Sequence, residues 1–328
     1  MMSKRITRRT ALTGLAGFAA AAVSPAPAIS QSGRPITLMH GFTPGANVDI
    51  TARIIADGLS KRLGQTVVVE TRVGAGGTVA AAAVARMDPD GHTLLIVPSG
   101  HPVAAGLYKQ LSYNVIDNFT FISMLTENPF IMVTYLDHPA KTAADIIKAA
   151  RADPGKLTYG TAGNGTGMHL ASELFVAMGQ VKIQHVPYRG SPQAITDLIA
   201  NRIDFQVDTP QVLLPFLADG RLRPIAITAN KPFFALPDVP TIESSGDLPG
   251  YAVTGWLGLG APAGLAPEIV SKLNAEVRAI LTDPVVVDRL RKLGADVTPT
   301  TPDAFKARVT ADVAKWNKVI NDANIPKV

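Results

Sequence analysis

The sequence contains no cysteine. This absence excludes disulfide scaffolds, thiolate metal sites, thiol catalysis and a cysteine-linked lipid anchor. No segment after residue 30 has the roughly 20 consecutive apolar residues that a membrane-spanning helix needs. The sequence also lacks a G-x-x-x-x-G-K-[ST] phosphate loop and, among its histidines, an H-E-x-x-H pair or another tight ligand spacing. We therefore expect no bound cofactor and no metal site.

Positive charge is concentrated at the N-terminus. Four basic residues stand among the first nine, an uncharged run covers 11–22, and the triplet Ala26-Pro27-Ala28 follows. A basic head, a short apolar core and an A-x-A exit are typical of a cleavable export signal. The adjacent pair Arg8-Arg9 favours the twin-arginine route. We expect residues 1–30 to be removed on export, which leaves a soluble periplasmic protein without a lipid anchor.

The chain that remains is nearly neutral. Residues 29–328 carry 27 Lys and Arg, which is the total of 31 less the four in the leader, against 26 Asp and Glu. A nucleic-acid partner is not expected, because affinity for nucleic acids rests on many phosphate contacts. About 300 residues exceed a typical single core and favour two domains.

Short β-type runs alternate with helical patterns, which is typical of parallel α/β construction. A first set has predicted strands at 35–39, 66–71 and 93–97 and helices at 50–63 and 78–87. A second set has helices at 143–152, 168–178 and 192–201 and strands at 157–159, 182–186, 203–207 and 224–228. Two sets predict two lobes. Near the C-terminus, an apolar stripe predicts a helix that begins at Thr301-Pro302.

Two glycine-rich loops connect predicted strands to helices. Loop one covers residues 41–49 and ends at Asp49, the predicted helix cap, and loop two covers residues 160–169. Glycines allow backbone N–H groups to turn toward one point, and a helix N-terminus adds about half a positive charge there. Either loop alone could be a plain tight turn. Two such loops, one in each lobe, favour a shared site for a carboxylate or phosphate.

Other site chemistries fit the residues less well. A dinucleotide fold needs an acid at the end of the strand after the glycine loop, but this strand ends in His185-Val186-Pro187-Tyr188. Ser99 lacks the preceding glycine of a nucleophile elbow. For an enzyme, the titratable candidates are His169 and Asp208. We therefore expect no catalytic residue, while an enzyme on the same scaffold remains an alternative.

The order and spacing of several motifs resemble those of the solute receptors of tripartite tricarboxylate transporters, the Bug-type periplasmic binding proteins. The resemblance extends from about residue 35 to residue 316. The motifs, in chain order, are Pro44-Gly45 with Asp49, Val73-Gly74-Ala75-Gly76-Gly77, Pro89-Asp90-Gly91-His92-Thr93-Leu94, loop two with His169, His185-Val186-Pro187-Tyr188-Arg189-Gly190, Gly220-Arg221-Leu222-Arg223-Pro224, Leu236-Pro237-Asp238-Val239-Pro240-Thr241 and Ala261-Pro262-Ala263-Gly264.

The resemblance implies an α/β fold of the type II periplasmic-binding-protein class, with two lobes, a two-stranded hinge and a ligand cleft between the lobes. Lobe one would comprise residues 31–132 plus 254–328, and lobe two residues 133–253. It also implies a set of ligand-binding residues: Phe42, Thr43, Pro44, Gly45, Asp49, Ser99, His101, Thr161, Ala162, Gly163, Gly165, Thr166, His169, Asp208 and Thr209. Phe42 and Trp256 are candidates to contact an apolar part of the ligand.

The expected function is capture of a small carboxylate in the periplasm by a monomeric receptor that closes around its ligand. The cargo would be a di- or tricarboxylate, an aromatic acid or an acidic amino acid, and the membrane subunits of a tripartite tricarboxylate transporter would receive it. An alternative with the same fold and site is a sensor that presents its ligand to a signalling receptor.

Overall fold

The computed structural model describes residues 33–322 and 325–328, so the predicted export signal lies outside the described residues. Strands and helices alternate along most of the chain. The strands are β1 (Ile36–His40), β2 (Val67–Thr71), β3 (Thr93–Pro98), β4 (Phe119–Pro129), β5 (Ile131–Tyr135), β6 (Thr158–Thr161), β7 (Gln184–Pro187), β8 (Phe205–Asp208), β9 (Leu222–Ile227), β10 (Thr254–Pro262) and β11 (Asp296–Val297). The helices are α1 (Asn47–Leu63), α2 (Thr78–Val84), α3 (Gly100–Leu107), α4 (Ala143–Ala152), α5 (Gly167–Gly179), α6 (Ser191–Ile199), α7 (Pro210–Ala218), α8 (Ile242–Ser245), α9 (Pro267–Thr282), α10 (Pro284–Lys292) and α11 (Pro302–Asp322).

The strands form two sheets, and each sheet is the centre of one lobe. The sheet of lobe one has the order β11-β4-β10-β3-β1-β2, and the sheet of lobe two has the order β7-β6-β8-β5-β9. Pairing is parallel among β1, β2 and β3 and among β6, β7 and β8. The strands β4, β5, β9, β10 and β11 pair antiparallel. The prediction of parallel construction is therefore correct for three of the six strands in the first sheet and three of the five in the second, and it is wrong for the others.

The chain crosses between the lobes at two adjacent places. It leaves the first sheet where β4 continues through Phe130 into β5, and it returns through Val253 into β10. Thr228 joins the two crossings: its N–H donates to the carbonyl of Phe130, and its carbonyl accepts from the N–H of Val253. Its hydroxyl also donates to the Val253 carbonyl, at 2.7 Å. The crossings therefore form a hydrogen-bonded, two-stranded hinge.

Helices cover both faces of the first sheet. On one face, α1 and α9 pack apolar residues such as Ile55 and Val277 against β1 and β3. On the other face lie α2 and the start of α11, whose Phe305 and Val309 are fully buried. The predicted apolar stripe of the last helix is thus confirmed as core. None of the described helices combines the length and apolarity that would let it cross a membrane.

Candidate functional site

A cavity of about 40 Å³ lies between the two lobes, beside the hinge. Residues from both sheets and from the crossing at Phe130 line it. These are Phe42, Ala46, Asn47, Val48, Pro98, Ser99, Gly100, Asn128, Phe130, Gly167, Met168, Ser191, Asp208, Thr209, Gly255, Trp256 and Leu257. This volume holds a few water molecules at most. A larger molecule therefore needs the lobes to move apart.

The N-termini of five helices meet at this cavity. Asn47 and Val48 begin α1, Gly100 begins α3, and Gly167 begins α5. Ser191 begins α6, and Thr209 is the residue before α7. Each strand-to-helix turn directs the unpaired N–H groups of a first helical turn toward the same region. The helix macrodipoles add a positive potential at the same place, so the site suits an anion.

Asp208, which ends β8, is the ionisable residue that lines the cavity, and no cationic side chain lines it in the described chain. Its carboxylate is fully buried and accepts hydrogen bonds from the side-chain amide of Gln206 and from the N–H of Thr209, at 2.6 and 2.7 Å. The hydroxyl of Ser191 is a further donor. Burial raises the pKa of Asp208 above its ordinary value, and these donors oppose that rise.

Asp208 also balances part of the positive potential. Its donors Ser191 and Thr209 stand at the starts of α6 and α7, so this carboxylate neutralises those two helix N-termini. In contrast, α3 and α5 carry no acidic residue in their first turns. The hydroxyl of Ser99, at the start of α3, is 9% exposed and makes no hydrogen bond within the described chain. The unbalanced donors therefore lie between the starts of α3 and α5.

Loop one contributes the aromatic wall of the cavity through Phe42, while the residues after it have other roles. Thr43 is half-buried against the second lobe. Pro44 and Gly45 are exposed, and they line neither the cavity nor the wider groove between the lobes that forms its mouth. Asp49 was predicted to be the helix cap, but α1 begins at Asn47 after an Ala46 cap that has no side-chain hydrogen bond. Asp49 is therefore the third helical residue. Its carboxylate reaches back and accepts a hydrogen bond from the Gly45 N–H at 3.0 Å.

Asp49 lies behind the loop and does not line the cavity. Besides Gly45, it pairs with Arg53 at 2.9 Å and with Nε2 of His40 at 3.3 Å. The hydrogen bonds of Arg53 and Gly45 outweigh burial and hold the pKa of Asp49 below its ordinary value, although burial is the largest single effect. The structure therefore gives Asp49 a supporting role for loop one in place of the expected contact with ligand.

Asp49→Ala is expected to lower the free energy of unfolding by about 2 kcal/mol, because it removes charge-assisted hydrogen bonds from a buried site. Urea unfolding at neutral pH measures the loss. The matched control is Asp57→Ala on the same helix, where an exposed pair with Lys61 should contribute no more than about 0.5 kcal/mol. Equal losses for the two variants would contradict the supporting role.

Loop two is held by its own hydrogen bonds. Thr166 caps α5, accepts from the N–H of His169 and donates to the Gly163 carbonyl at 2.9 Å. The hydroxyl of fully buried Thr161 accepts from the Gly163 N–H at 3.2 Å. Gly163 and Gly165 have φ angles of 118° and 76°, a region that favours glycine. Thr161, Gly165 and Thr166 therefore shape the loop from behind and line neither the cavity nor its mouth.

A polar cluster that the sequence did not predict supports loop two. His169, Glu173 and His185 bring potential metal-ligand atoms within 4.8 Å of one another. Each already has a protein partner: Nδ1 of His169 accepts from the Gly165 N–H, Glu173 accepts from the hydroxyl of Tyr159, and Nε2 of His185 lies 2.7 Å from the Thr161 hydroxyl. We interpret the cluster as the internal support of loop two.

Both imidazoles in the cluster are neutral near pH 7. The two rings stack with centroids 4.4 Å apart. Burial, together with the neighbouring His185, lowers the pKa of His169 to about 3. Burial alone lowers the pKa of His185 to about 4. The nearest carboxylate, that of Glu173, lies 3.7 Å from Nε2 of His169, but burial raises the pKa of Glu173 and disfavours its charged form. Burial therefore favours the neutral form of both imidazoles.

His101 was expected to lie in the cleft with Ser99, but the structure separates them. The side chain of His101 packs between Tyr113 and Phe119, and its Nε2 lies 2.8 Å from the carbonyl of Val115. Burial lowers its pKa to about 4. The reason is helical geometry, since Ser99 and His101 stand two positions apart at the start of α3 and point to different sides.

The mouth of the cavity is a groove of about 810 Å³ between the lobes. Its lining includes the predicted residues Phe42, Thr43, Ala162 and Gly163 together with Tyr108, Asn164, Pro187, Tyr188 and Arg189, which were not predicted as site residues. The hydroxyl of Tyr108 donates to the carbonyl of Ala75 at 2.8 Å and lies 3.4 Å from the carbonyl of Asn164 in the other lobe. Phe42 lines both cavity and groove, so the two spaces adjoin.

Glycines bring the lobes into direct contact around the cavity. A Cβ atom on Gly100 would lie 2.6 Å from the carbonyl oxygen of Gly165, and one on Gly76 would lie 2.3 Å from that of Asn164. A Cβ atom on Gly167 would lie 2.8 Å from the Ser99 hydroxyl. These contacts are too short for any side chain, so the described arrangement of the lobes depends on glycine at these positions.

Sequence comparison places almost the whole chain in one family. Residues 51–325 match the family described as "Tripartite tricarboxylate transporter family receptor". Protein BugT of Bordetella pertussis is 30% identical over 97% of this chain and 98% of its own length.

Solved structures with the same fold hold dicarboxylates. The structure of Rpa4515 from R. palustris with adipate has a TM-score of 0.87 and 34% identity, and the match covers 91% of this chain and all of that one. MatC from Rhodopseudomonas palustris with bound malate has a TM-score of 0.83 and 32% identity over 88% of this chain and 99% of that one.

Proposed function

Because the chain belongs to the tripartite tricarboxylate transporter receptor family, a family of periplasmic binding proteins for carboxylate solutes, we propose that it captures a small dicarboxylate after export and delivers it to the membrane subunits of such a transporter. The predicted export signal supports a periplasmic location. The fold supports capture, because a hinge of two crossings lets one lobe rotate against the other.

The observation that carries this proposal is the convergence of five helix N-termini on a cavity without a cationic side chain. Backbone N–H groups and the Ser99 hydroxyl are donors to a carboxylate. Each charge-assisted hydrogen bond contributes roughly 1.5–3 kcal/mol. Desolvation and the ordering of the lobes offset part of this gain. We therefore expect a dissociation constant near micromolar, which corresponds to a binding free energy of about −8 kcal/mol.

Closure of the lobes supplies the signal that a membrane partner can recognise. The cavity of about 40 Å³ is too small for a molecule of the size of malate or adipate in the described arrangement. Ligand must therefore enter a more open state. The lobes then close around it until the glycine contacts form again, while side chains that line the cavity, such as Met168, turn aside to make room. A partner that binds the closed state better than the open one would distinguish loaded from empty receptor.

The enzyme alternative was based on His169 and Asp208, which the structure places on different sides of loop two and the cavity. Asp208 lines the cavity, whereas His169 lies behind loop two and lines neither the cavity nor the groove. The titratable pair that the enzyme hypothesis needs is therefore not assembled around one ligand.

A thermal-shift screen of the exported chain against dicarboxylates, monocarboxylates, amino acids, sugars and nucleotides tests the proposal. A dicarboxylate should raise the melting temperature in a concentration-dependent way, since a ligand at 100 times its dissociation constant adds about 2.7 kcal/mol of stability. A response to sugars or nucleotides alone would contradict the carboxylate site. Binding of a dicarboxylate without any effect on transport, in cells that lack the receptor and are then complemented, would favour the sensor alternative.

A further inference from the structure

Arg189 occupies a distinctive position at the mouth groove. It follows Tyr188, whose carbonyl oxygen would lie 3.2 Å from a Cβ atom on Gly163 of loop two. It precedes Gly190, where an added Cβ atom would lie 2.1 Å from the hydroxyl oxygen of Thr43 in loop one. The backbone on its two sides therefore touches loop two and loop one. Arg189 is thus fixed at the junction of the two loops, beside the entrance to the cavity.

The guanidinium of Arg189 is unpaired within the part of the chain that the structure describes. It is the one cation among the residues that line the cavity and the groove in the described chain. The residue is exposed, and within residues 33–322 and 325–328 it makes no hydrogen bond and no salt bridge. No acidic side chain lines the groove, and the main-chain carboxylate of Val328, which also lines it, forms no ion pair with Arg189. By comparison, nearby Arg202 is paired with Asp197 at 2.8 Å. The charge of Arg189 is therefore available to a ligand in the groove.

A second unused donor lies beside it. The hydroxyl of Thr43 is buried and has no hydrogen-bond partner in the described structure. Leaving such a group unpaired costs about 1–3 kcal/mol. Thr43 lines the groove with Arg189 and adjoins Phe42, which lines both groove and cavity. In the described arrangement the hydroxyl is closed off against Gly190 of the other lobe. A ligand that extends from the cavity into the groove would therefore reach the guanidinium directly, and the hydroxyl once the lobes have parted to admit it.

We propose that Arg189 and Thr43 form a second carboxylate subsite at the cleft mouth, so that the receptor recognises linear dicarboxylates by both ends. One carboxylate lies among the helix N-termini, the aliphatic chain passes Phe42, and the other carboxylate pairs with Arg189. This inference rests on the proposed capture of carboxylates. It adds a specificity that helix N-termini alone cannot supply, because they do not distinguish a monocarboxylate from one end of a dicarboxylate.

Isothermal titration calorimetry on matched ligand pairs tests the subsite. Succinate, adipate and suberate are each compared with the monocarboxylate of equal chain length, namely butyrate, hexanoate and octanoate. The unmodified chain should bind its preferred dicarboxylate at least about tenfold more tightly than the matched monocarboxylate, since one charge-assisted hydrogen bond is enough for that factor. Arg189→Gln should remove most of this difference and change monocarboxylate affinity less than about twofold.

Two further variants complete the test. Thr43→Val keeps the side-chain shape and should weaken binding of the dicarboxylate alone, by about threefold to tenfold. Arg278→Gln, at an exposed position on α9, is the matched control and should leave every affinity unchanged. Equal weakening of both members of a pair by Arg189→Gln, or no weakening of the dicarboxylate, would overturn the subsite. Failure of the unmodified chain to bind any carboxylate would overturn the proposed function itself.

Discussion

Gly100→Ala is expected to weaken dicarboxylate binding by at least about tenfold while the ligand-free protein keeps its fold. The added methyl group would meet the carbonyl oxygen of Gly165 at 2.6 Å and the Cα atom of Thr166 at 3.3 Å. Both are backbone atoms of the opposite lobe and cannot rotate away. Overpacking of this kind costs roughly 1–3 kcal/mol. The cost falls on the closed state alone, because opening of the lobes moves the added methyl group away from Gly165 and Thr166.

The ligand-free fold should tolerate this change for two reasons. The φ angle of Gly100 is not in the left-handed region, and alanine is a better helix former than glycine at the start of α3. Calorimetry should therefore show a higher dissociation constant at an unchanged melting temperature of the free protein. Small-angle scattering should show that the variant stays extended at a ligand concentration that compacts the unmodified chain.

Gly179→Ala is the matched control for this experiment. Gly179 ends α5 in the other lobe, and its added Cβ atom would make ordinary contacts of 3.4 and 3.5 Å with Ile147. Binding and compaction should be unchanged in this variant. If Gly100→Ala also bound normally, the contact between the starts of α3 and α5 would not be part of the ligand-bound state.

Local sequence patterns predicted the outer parts of each lobe because these parts are built from local signals. The alternation of β-type runs and amphipathic helices gave β1 to β3 and β6 to β9 to within a few residues. It missed β4, β5, β11 and β10. In β10, the glycines at 255, 258 and 260 are poor strand formers. Their absent side chains leave room for neighbouring rings: a Cβ atom on Gly258 would lie 2.0 Å from the ring of Phe305. The need for glycine at 258 is set by Phe305 of α11, which lies far along the chain, so the sequence around β10 does not reveal it.

That the two glycine loops lie at one site was predictable, but the direction of individual side chains was not. Glycine loops before helices predicted an anion site, and five helix N-termini meet at the cavity that we propose for it. Asp49 and His101 belong to the right loops but point into supporting contacts, since a shift of one or two positions at a helix start changes the face that a residue occupies. Arg189 lies within a motif of the family resemblance and Ser191 directly follows that motif, but neither was predicted as a site residue. The contacts of Tyr188 with Gly163 and of Gly190 with Thr43 place this segment at the cleft.

Acidification from about pH 6.5 to pH 4 is expected to destabilise the protein strongly. His101 has a folded-state pKa of about 4 against an ordinary value of 6.5, so the unfolded chain binds the proton more readily across this interval. The contribution of His101 therefore lowers the free energy of unfolding as the pH falls below 6.5, and this contribution stops changing below about pH 4. A shift of this size corresponds to about 3 kcal/mol for this buried residue. His185, with a pKa of about 4, destabilises the protein over the same pH range. His169, with a pKa of about 3, extends that range to lower pH.

Two acids oppose this trend in part. Burial raises the folded-state pKa of Glu173 and of Asp208, so the folded protein holds their protons more readily than the unfolded chain does. Their contribution to stability therefore grows as pH falls. Burial also lowers the pKa of His40, so four histidines act against two acids and leave a net loss. We expect the free energy of unfolding to fall by about 1–3 kcal/mol for each pH unit near pH 5, which equals a net uptake of about one to two protons on unfolding.

His101→Phe isolates one of these protons outside the cleft. Phenylalanine keeps the packing between Tyr113 and Phe119 but cannot be protonated, so the variant should lose about 1.4 kcal/mol less per pH unit than the unmodified chain between pH 6.5 and 4. Urea unfolding at constant ionic strength over this range gives both slopes. Tyr113→Phe is the control, because it changes the same packing, removes a hydroxyl that has no partner and retains the imidazole. If both variants kept the original slope, the proton taken up on unfolding would belong to other groups, and burial of His101 would not cause the acid sensitivity.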